Sequence, residues 1–226
     1  MMRDLLSGRV AVVELRRDVV VPLFAAEEAA VASAVPARRQ EFMTARECAR
    51  RALLALDEPV VAIGRGEKGQ PLWPPGVVGS LTHCRGYRAA ALTTDPDVAS
   101  VGIDAEPDLP LPPGVLRHVA ADAEGRSLER LRLEHPGPNY DRLLFTAKEA
   151  VYKAWYPLER SWLGFEDADV LLHPDGRFTA RLAKILHIGA RDLRDLEGRW
   201  TVAQGTLLAA VELEADGGPD VPRQAF

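Results

Sequence analysis

Cysteine is scarce in this 226-residue chain, which holds only Cys48 and Cys84. Two thiols are too few for a disulfide framework or for a zinc site built on cysteine. Long apolar runs are missing as well. Nothing approaches the roughly 20 residues a helix needs to cross a bilayer, and the early run 10–13 meets Glu14, Arg16, Arg17 and Asp18. The start of the chain also lacks the charged, apolar, small-residue succession of a secretory signal. A cytoplasmic protein with no membrane partner is therefore expected. Positive charge is not in excess: 28 Lys and Arg face 33 Asp and Glu, for a formal net charge of −5. That balance argues against a nucleic-acid partner held by bulk charge, but leaves room for a local basic pocket around a phosphorylated ligand. No repeat of solenoid spacing is visible.

What is present is an ordinary globular composition, 47% hydrophobic and 27% charged, in a chain long enough to bury a core without staples. Phe42, Ala45, Ala49, Leu53 and Leu56 recur at helical spacing behind Pro36, which predicts a helix over 37–57. Arg39, Arg46 and Arg50 fall on one flank of it. A glycine-rich turn over 64–69 follows, then β-like runs at 77–83, 87–93 and 98–106, the first two joined by a short hairpin connection at 84–86. Pro107, Pro110, Pro112 and Pro113 make a stiff link. Helices are expected over 121–133 and 139–156, the second ended by Pro157. Short strands are expected at 168–172, 177–182, 199–204 and 207–212, and a loose tail from Asp216. Each half then holds a helix and about three strands, an α+β pattern.

Four constellations carry chemistry. In a strand, Asp104 and Glu106 project to one face. Buried together they repel, unless a hard divalent ion resolves the conflict; a solvated strand end is the plainer reading. Glu149 and Lys153 are four apart on one helix face with Lys148 beside them. An exposed helical ion pair would explain that spacing, but Phe145, Tyr152, Trp155 and Tyr156 leave little of this helix polar, which suits a cleft. In the extended stretch 79–84, Thr82 and His83 sit beside a turn, where a histidine is commonly structural. Arg38, Arg46, Arg65 and Lys68 form a basic set, and the last two come from a glycine-rich loop whose backbone can approach phosphate closely. Helix arginines otherwise form a solvated face.

Read in order, "SLTHC", "GIDAEP" and "FTAKEAVYKAWYPL" resemble the Sfp-like phosphopantetheinyl transferases, closest to the branch of the enterobactin-associated enzyme and its mycobacterial relatives. "RECAR", "RGEKGQPLWP" and "SWLGFEDA" are similar to the same branch, so the resemblance spans about residues 38–168. It implies an α+β monomer of two similar halves related by a pseudo-two-fold axis, each a small antiparallel sheet packed with a long helix. Residues 1–100 would form the coenzyme A clamp, and 101–226 the metal and catalytic half. The implied reaction moves the phosphopantetheine arm of coenzyme A to a serine of an acyl or peptidyl carrier protein and releases adenosine 3′,5′-bisphosphate. The carriers would be domains of polyketide, nonribosomal-peptide or fatty-acid synthases, and siderophore biosynthesis would be one setting.

By motif match, Asp104, Glu106 and Glu149 would hold Mg²⁺. Glu149 would be the general base and Lys153 would neutralise the leaving group. Thr82, His83, Arg38, Arg46 and the loop residues Arg65, Gly66, Glu67 and Lys68 would bind the nucleotide, with Asp104, Glu149 and Lys153 also touching the coenzyme. Arg65 stands where relatives often carry Lys, a cationic exchange. Arg85, Arg88 and the aromatics of 155–162 are candidates for docking the acidic carrier. Two other readings are a non-catalytic coenzyme A or carrier-protein binding module, which would keep the basic clamp and have no need of the carboxylates, and a metal-dependent phosphodiesterase using the same carboxylates on water.

Overall fold

The computed structural model describes residues 1–216; the part of the expected tail beyond Asp216 lies outside the described residues. Proline at the first helical turn starts α2 (Pro36–Ala55), a 20-residue helix whose buried stripe includes Ala45, Ala49, Ala52 and Leu53. That stripe packs on one face of a three-stranded antiparallel sheet ordered β1 (Ala11–Leu15), β5 (Tyr87–Thr93) and β4 (Val78–Cys84). The run 10–13 is thus a strand of this sheet. β4 and β5 are joined through Arg85 and Gly86, where Gly86 has φ 77°, as its place in a two-residue hairpin requires.

Every residue of β5 is buried, and its two faces serve different partners. Ala90 and Leu92 meet α2, while Tyr87, Ala89 and Ala91 meet Val101, Ile103, Ala105, Leu208 and Ala210 of the second sheet. That sheet has five antiparallel strands in the order β6 (Val98–Pro107), β10 (Thr206–Glu214), β9 (Arg191–Ala203), β8 (Arg177–Ile188) and β7 (Ala168–Leu172). Its other face carries α5 (Tyr140–Glu159), packed through Leu143, Leu144, Ala147, Ala150, Val151 and Ala154. The layers run helix, sheet, sheet, helix. Shorter helices α1 (Ala25–Ala30), α3 (Leu116–Val119) and α4 (Asp122–Glu134) complete the frame, with a small hairpin of β2 (Gly64–Arg65) and β3 (Pro71–Leu72).

Two expectations fail here. Pro157 does not end α5; it sits in the last turn, and the helix stops at Arg160 in the left-handed conformation (φ 52°). β8 and β9 run well past the expected 177–182 and 199–204, meeting as a long ribbon that turns at Gly189. Its charged residues alternate outward while Phe178, Ala180, Leu182, Leu186 and Ile188 point in, so the polar sequence disguises a half-buried strand.

Candidate active site

The site is built where β4, β6 and α5 meet. One edge of β6 pairs with β10, with Asp104 opposite Ala209 and Glu106 opposite Leu207. Its other edge lies against β4, but hydroxyls take the place of a strand ladder. The Ile103 N–H donates to Ser80 Oγ at 3.1 Å and the Ala105 N–H to Thr82 Oγ1 at 3.0 Å. Thr82 in turn donates to Asp104 Oδ1 at 3.2 Å.

Gly102 and Ser100 let α5 come close. A Cβ on Gly102 would lie 2.0 Å from the Ala150 carbonyl oxygen, and Ser100 Oγ donates to the Ala154 carbonyl at 2.8 Å. The approach delivers Lys153, whose ammonium has three donors. They reach Asp104 Oδ1 at 2.7 Å, the Ile103 carbonyl at 3.1 Å and the Leu81 carbonyl at 3.3 Å. One cation thus touches both sheets.

The three expected carboxylates share one electrostatic environment. Burial pushes Glu149 up from the usual carboxylate range, Asp104 and Glu106 push it further, and Lys153 opposes them. Burial and then Asp104 raise Glu106 against the pull of Arg142, whose Nη1 lies 3.0 Å from Glu106 Oε2. Arg142 also donates to the Leu109 and Pro110 carbonyls, which ties the proline link to this carboxylate. Asp104 is buried, and its Oδ2 is a buried oxygen with no hydrogen-bond partner. Among the described residues, no three His, Cys, Asp or Glu side chains are already gathered as a metal cage. Asp104 and Glu106 meet Lys153 and Arg142 instead. A partnerless buried oxygen on Asp104 and two carboxylates raised by burial and by the charge of Asp104 are nonetheless what a hard divalent cation satisfies. The donor set fits Mg²⁺.

The basic residues lie beside this centre. Arg38 Nη1 is 2.5 Å from His83 Nε2, and Glu41 sits 3.3 Å from Arg38 and 3.8 Å from His83 Nδ1. Burial pulls the half-buried His83 down to about 4, and Arg38 and Lys153 lower it further, so the imidazole is neutral at pH 7. Arg46 is buried, with Nε donating to the Ile63 carbonyl at 3.0 Å and the guanidinium over the Phe42 ring at 4.1 Å. Burial brings it down to about 10, and the charges of Arg65 and Arg38 act in the same sense. Arg65, Glu67 and Lys68 are exposed on the β2–β3 hairpin, which closes through the Gly66 N–H to the Gln70 carbonyl at 2.8 Å. Gly69 has φ 87°, and a Cβ there would meet Arg65 Nη2 at 2.9 Å.

Three expected positions lie elsewhere. Lys148 points away from Glu149 into the core, where its ammonium holds Glu124 Oε2 and the Val119 and Phe165 carbonyls, each at 2.8 Å. Adjacent residues on a helix face about 100° apart, so Lys148 and Glu149 were never equivalent. Arg88 is buried and bonded to the Cys84 carbonyl and Asp18, so it offers nothing to a carrier. Trp155 is buried too, leaving Trp162 as the exposed indole of that stretch. Conversely, Arg142 and Glu41 escaped the sequence reading. Arg142 lies seven residues, two helical turns, before Glu149, and that spacing on one helix face was the available signal.

Comparisons with known proteins identify the family. The model of the 4′-phosphopantetheinyl transferase N-terminal domain matches residues 26–93, and that of the 4′-phosphopantetheinyl transferase superfamily matches 100–204. The chain is 48% identical over 203 residues to 4′-phosphopantetheinyl transferase Svp of Streptomyces mobaraensis, covering 89% of this chain and 82% of that protein. It is 47% identical to 4′-phosphopantetheinyl transferase PptT of Mycobacterium tuberculosis over 81% of this chain and 82% of the relative. Enterobactin synthase component D of Salmonella typhimurium is 33% identical over 52% of this chain and 48% of its own. The chain belongs to the 4′-phosphopantetheinyl transferase superfamily, which transfers phosphopantetheine to carrier proteins.

Proposed function

We propose that this chain moves the phosphopantetheine arm of coenzyme A to the serine hydroxyl of an acyl or peptidyl carrier protein, with Mg²⁺ held by Asp104, Glu106 and Glu149. The serine oxygen bonds to the phosphorus that bears the arm. The phosphoanhydride bond breaks, and adenosine 3′,5′-bisphosphate departs with the bridging oxygen. When bound, the ion supplies charge neutralisation to the pyrophosphate oxygens. Glu149 accepts the serine proton; burial beside like charges raises its proton affinity, which suits a base working near neutrality. Lys153 holds Asp104 in place and keeps a positive charge at the seam where the leaving phosphate gains negative charge. His83 and Arg38 lie next along the strip and take the coenzyme's phosphates, with Arg65, Gly66, Glu67 and Lys68 closing over the nucleotide and Arg46 supporting them from beneath. Thr82, expected among the phosphate ligands, is buried with its one donor spent on Asp104, and serves by holding that carboxylate.

The observation that carries this reading is the shared environment of three carboxylates drawn from two distant segments, with the Arg38–His83 pair beside it. We further infer a monomer of two related halves, 1–100 and 101–226, working in the cytoplasm. Exposed Arg85 and Trp162 suit an acidic carrier with an apolar rim. The test is mass spectrometry of several apo carriers incubated with coenzyme A, with and without a chelator. A gain of one phosphopantetheine arm, lost on chelation, is the expected result. Hydrolysis of coenzyme A without an acceptor would instead favour a phosphodiesterase, and binding without transfer a binding module.

A further inference from the structure

Glu27 sits on the short helix α1 and is completely buried, in a stretch of chain to which the site described above owes nothing directly. Its carboxylate is fully used. Oε1 accepts the Ile63 N–H at 3.0 Å, Oε2 accepts the Phe24 N–H at 3.1 Å, and Arg50 of α2 pairs with it closely. Arg50 also donates to the Pro22 carbonyl at 3.1 Å and lies over the Phe24 ring. Ile63 is therefore gripped at both of its backbone polar groups, by Glu27 at the N–H and by Arg46 at the carbonyl. The next residues are Gly64 and Arg65, the first strand of the basic hairpin. Outside this anchor the hairpin is held within itself by a two-residue ladder with β3 and by turn bonds from the Gly66 N–H to the Gln70 carbonyl and from the Gly69 N–H to the Gly66 carbonyl, which close the loop but do not fix its place on the protein. On the far side Trp73 donates to the Gly79 carbonyl at 2.9 Å.

We propose that Glu27 is a positioning residue for coenzyme A: by fixing Ile63 it sets where the 64–72 hairpin presents Arg65 to the nucleotide. The proposal rests on the reading of that hairpin as a nucleotide clamp. A buried acid made only for stability would affect both substrates alike. A positioning acid affects one. An ill-held loop weakens the coenzyme's grip and leaves the transfer centre at Asp104, Glu149 and Lys153 in place.

Steady-state kinetics of Glu27→Asp test this, because the shorter side chain keeps a charge for Arg50 but withdraws from the Ile63 N–H. The KM for coenzyme A should rise about tenfold, with kcat and the KM for an apo carrier protein within about twofold. Arg65→Ala should raise the same KM, and the double variant should be little worse than either single one, because both act through one loop. If Arg65→Ala raises the KM and Glu27→Asp does not, Glu27 has no positioning role and the clamp stands. If neither moves it, the clamp reading itself fails. Additive effects, or a fall in kcat with KM unchanged, would also overturn the proposal. Should Glu27→Asp not fold, Ile63→Pro removes the same hydrogen bond from the other side, and a wild-type KM in that variant would refute the idea equally.

Discussion

A carboxylate has to be basic to take a proton, as we propose for Glu149, and this one sits where its charge is electrostatically uncomfortable. Burial and the neighbouring Asp104 and Glu106 all oppose its charge. Glu149→Gln should therefore separate function from stability. Turnover should fall at least about a hundredfold, while the metal-free protein should melt at the same temperature or higher, because one repelling charge is gone; a lower melting temperature would show that Glu149 serves the fold. His83 yields a prediction of opposite sign. Its folded value near 4 lies below the ordinary histidine value of about 6.5. Between those limits the unfolded chain binds more protons, so His83 subtracts stability as pH falls from 6.5 to 4 and contributes nothing above. A phosphate placed on this imidazole must raise its proton affinity. Coenzyme A binding at about pH 6 should thus take up protons, read by calorimetry in two buffers of different ionisation enthalpy, and His83→Ala should abolish the uptake.

At the scale of elements, the three longer helices and most strands were legible because their signals are local, while the short α1 and α3 were not read. Leu143, Ala147, Ala150 and Ala154 repeat along α5 as its buried face requires, and Asp104 and Glu106 share a face by strand period alone. The unread parts depend on partners far along the chain. Glu27 looks like one more acid in a run of alanines until Ile63, 36 residues on, is set beside it. Lys148 belongs with Glu124, not with the acid next to it. The β8–β9 ribbon was read too short, as 177–182 and 199–204, because its outward face is so densely charged. The tightest element contact also makes a prediction. In Gly102→Ala the methyl group collides with the α5 backbone, so the helix must move off β6. A stability loss of about 1–3 kcal/mol in urea titration is expected, with turnover falling further than that loss explains, since Glu149 and Lys153 ride on the displaced helix. Wild-type activity in a well-folded Gly102→Ala would mean that the helix position is not critical.

In the molecule as a whole, the two sheets are joined at the proposed catalytic centre itself. Ser80 and Thr82 hydroxyls receive the free N–H groups of β6, and Lys153 bridges Leu81 and Ile103. Thr82→Val keeps the shape and removes the acceptor, leaving the Ala105 N–H buried and unpaired. It should cost about 1–3 kcal/mol, and hydrogen exchange should show β4 and β6 opening sooner while β8 and β9 keep their protection. Uniform loss of protection would argue against a distinct seam.

The hydroxyl contacts are two residues apart because side chains on a strand return to the same side at every second position. Deleting Ser80 would swing Leu81 and His83 into the places of Ser80 and Thr82, offering hydrocarbon and imidazole to N–H groups that need oxygen. The join thus has a reading frame. Substitutions along β4 can accumulate singly, but length changes there must come in twos, and a natural relative with an odd-numbered gap in this strand would have to rebuild the whole junction.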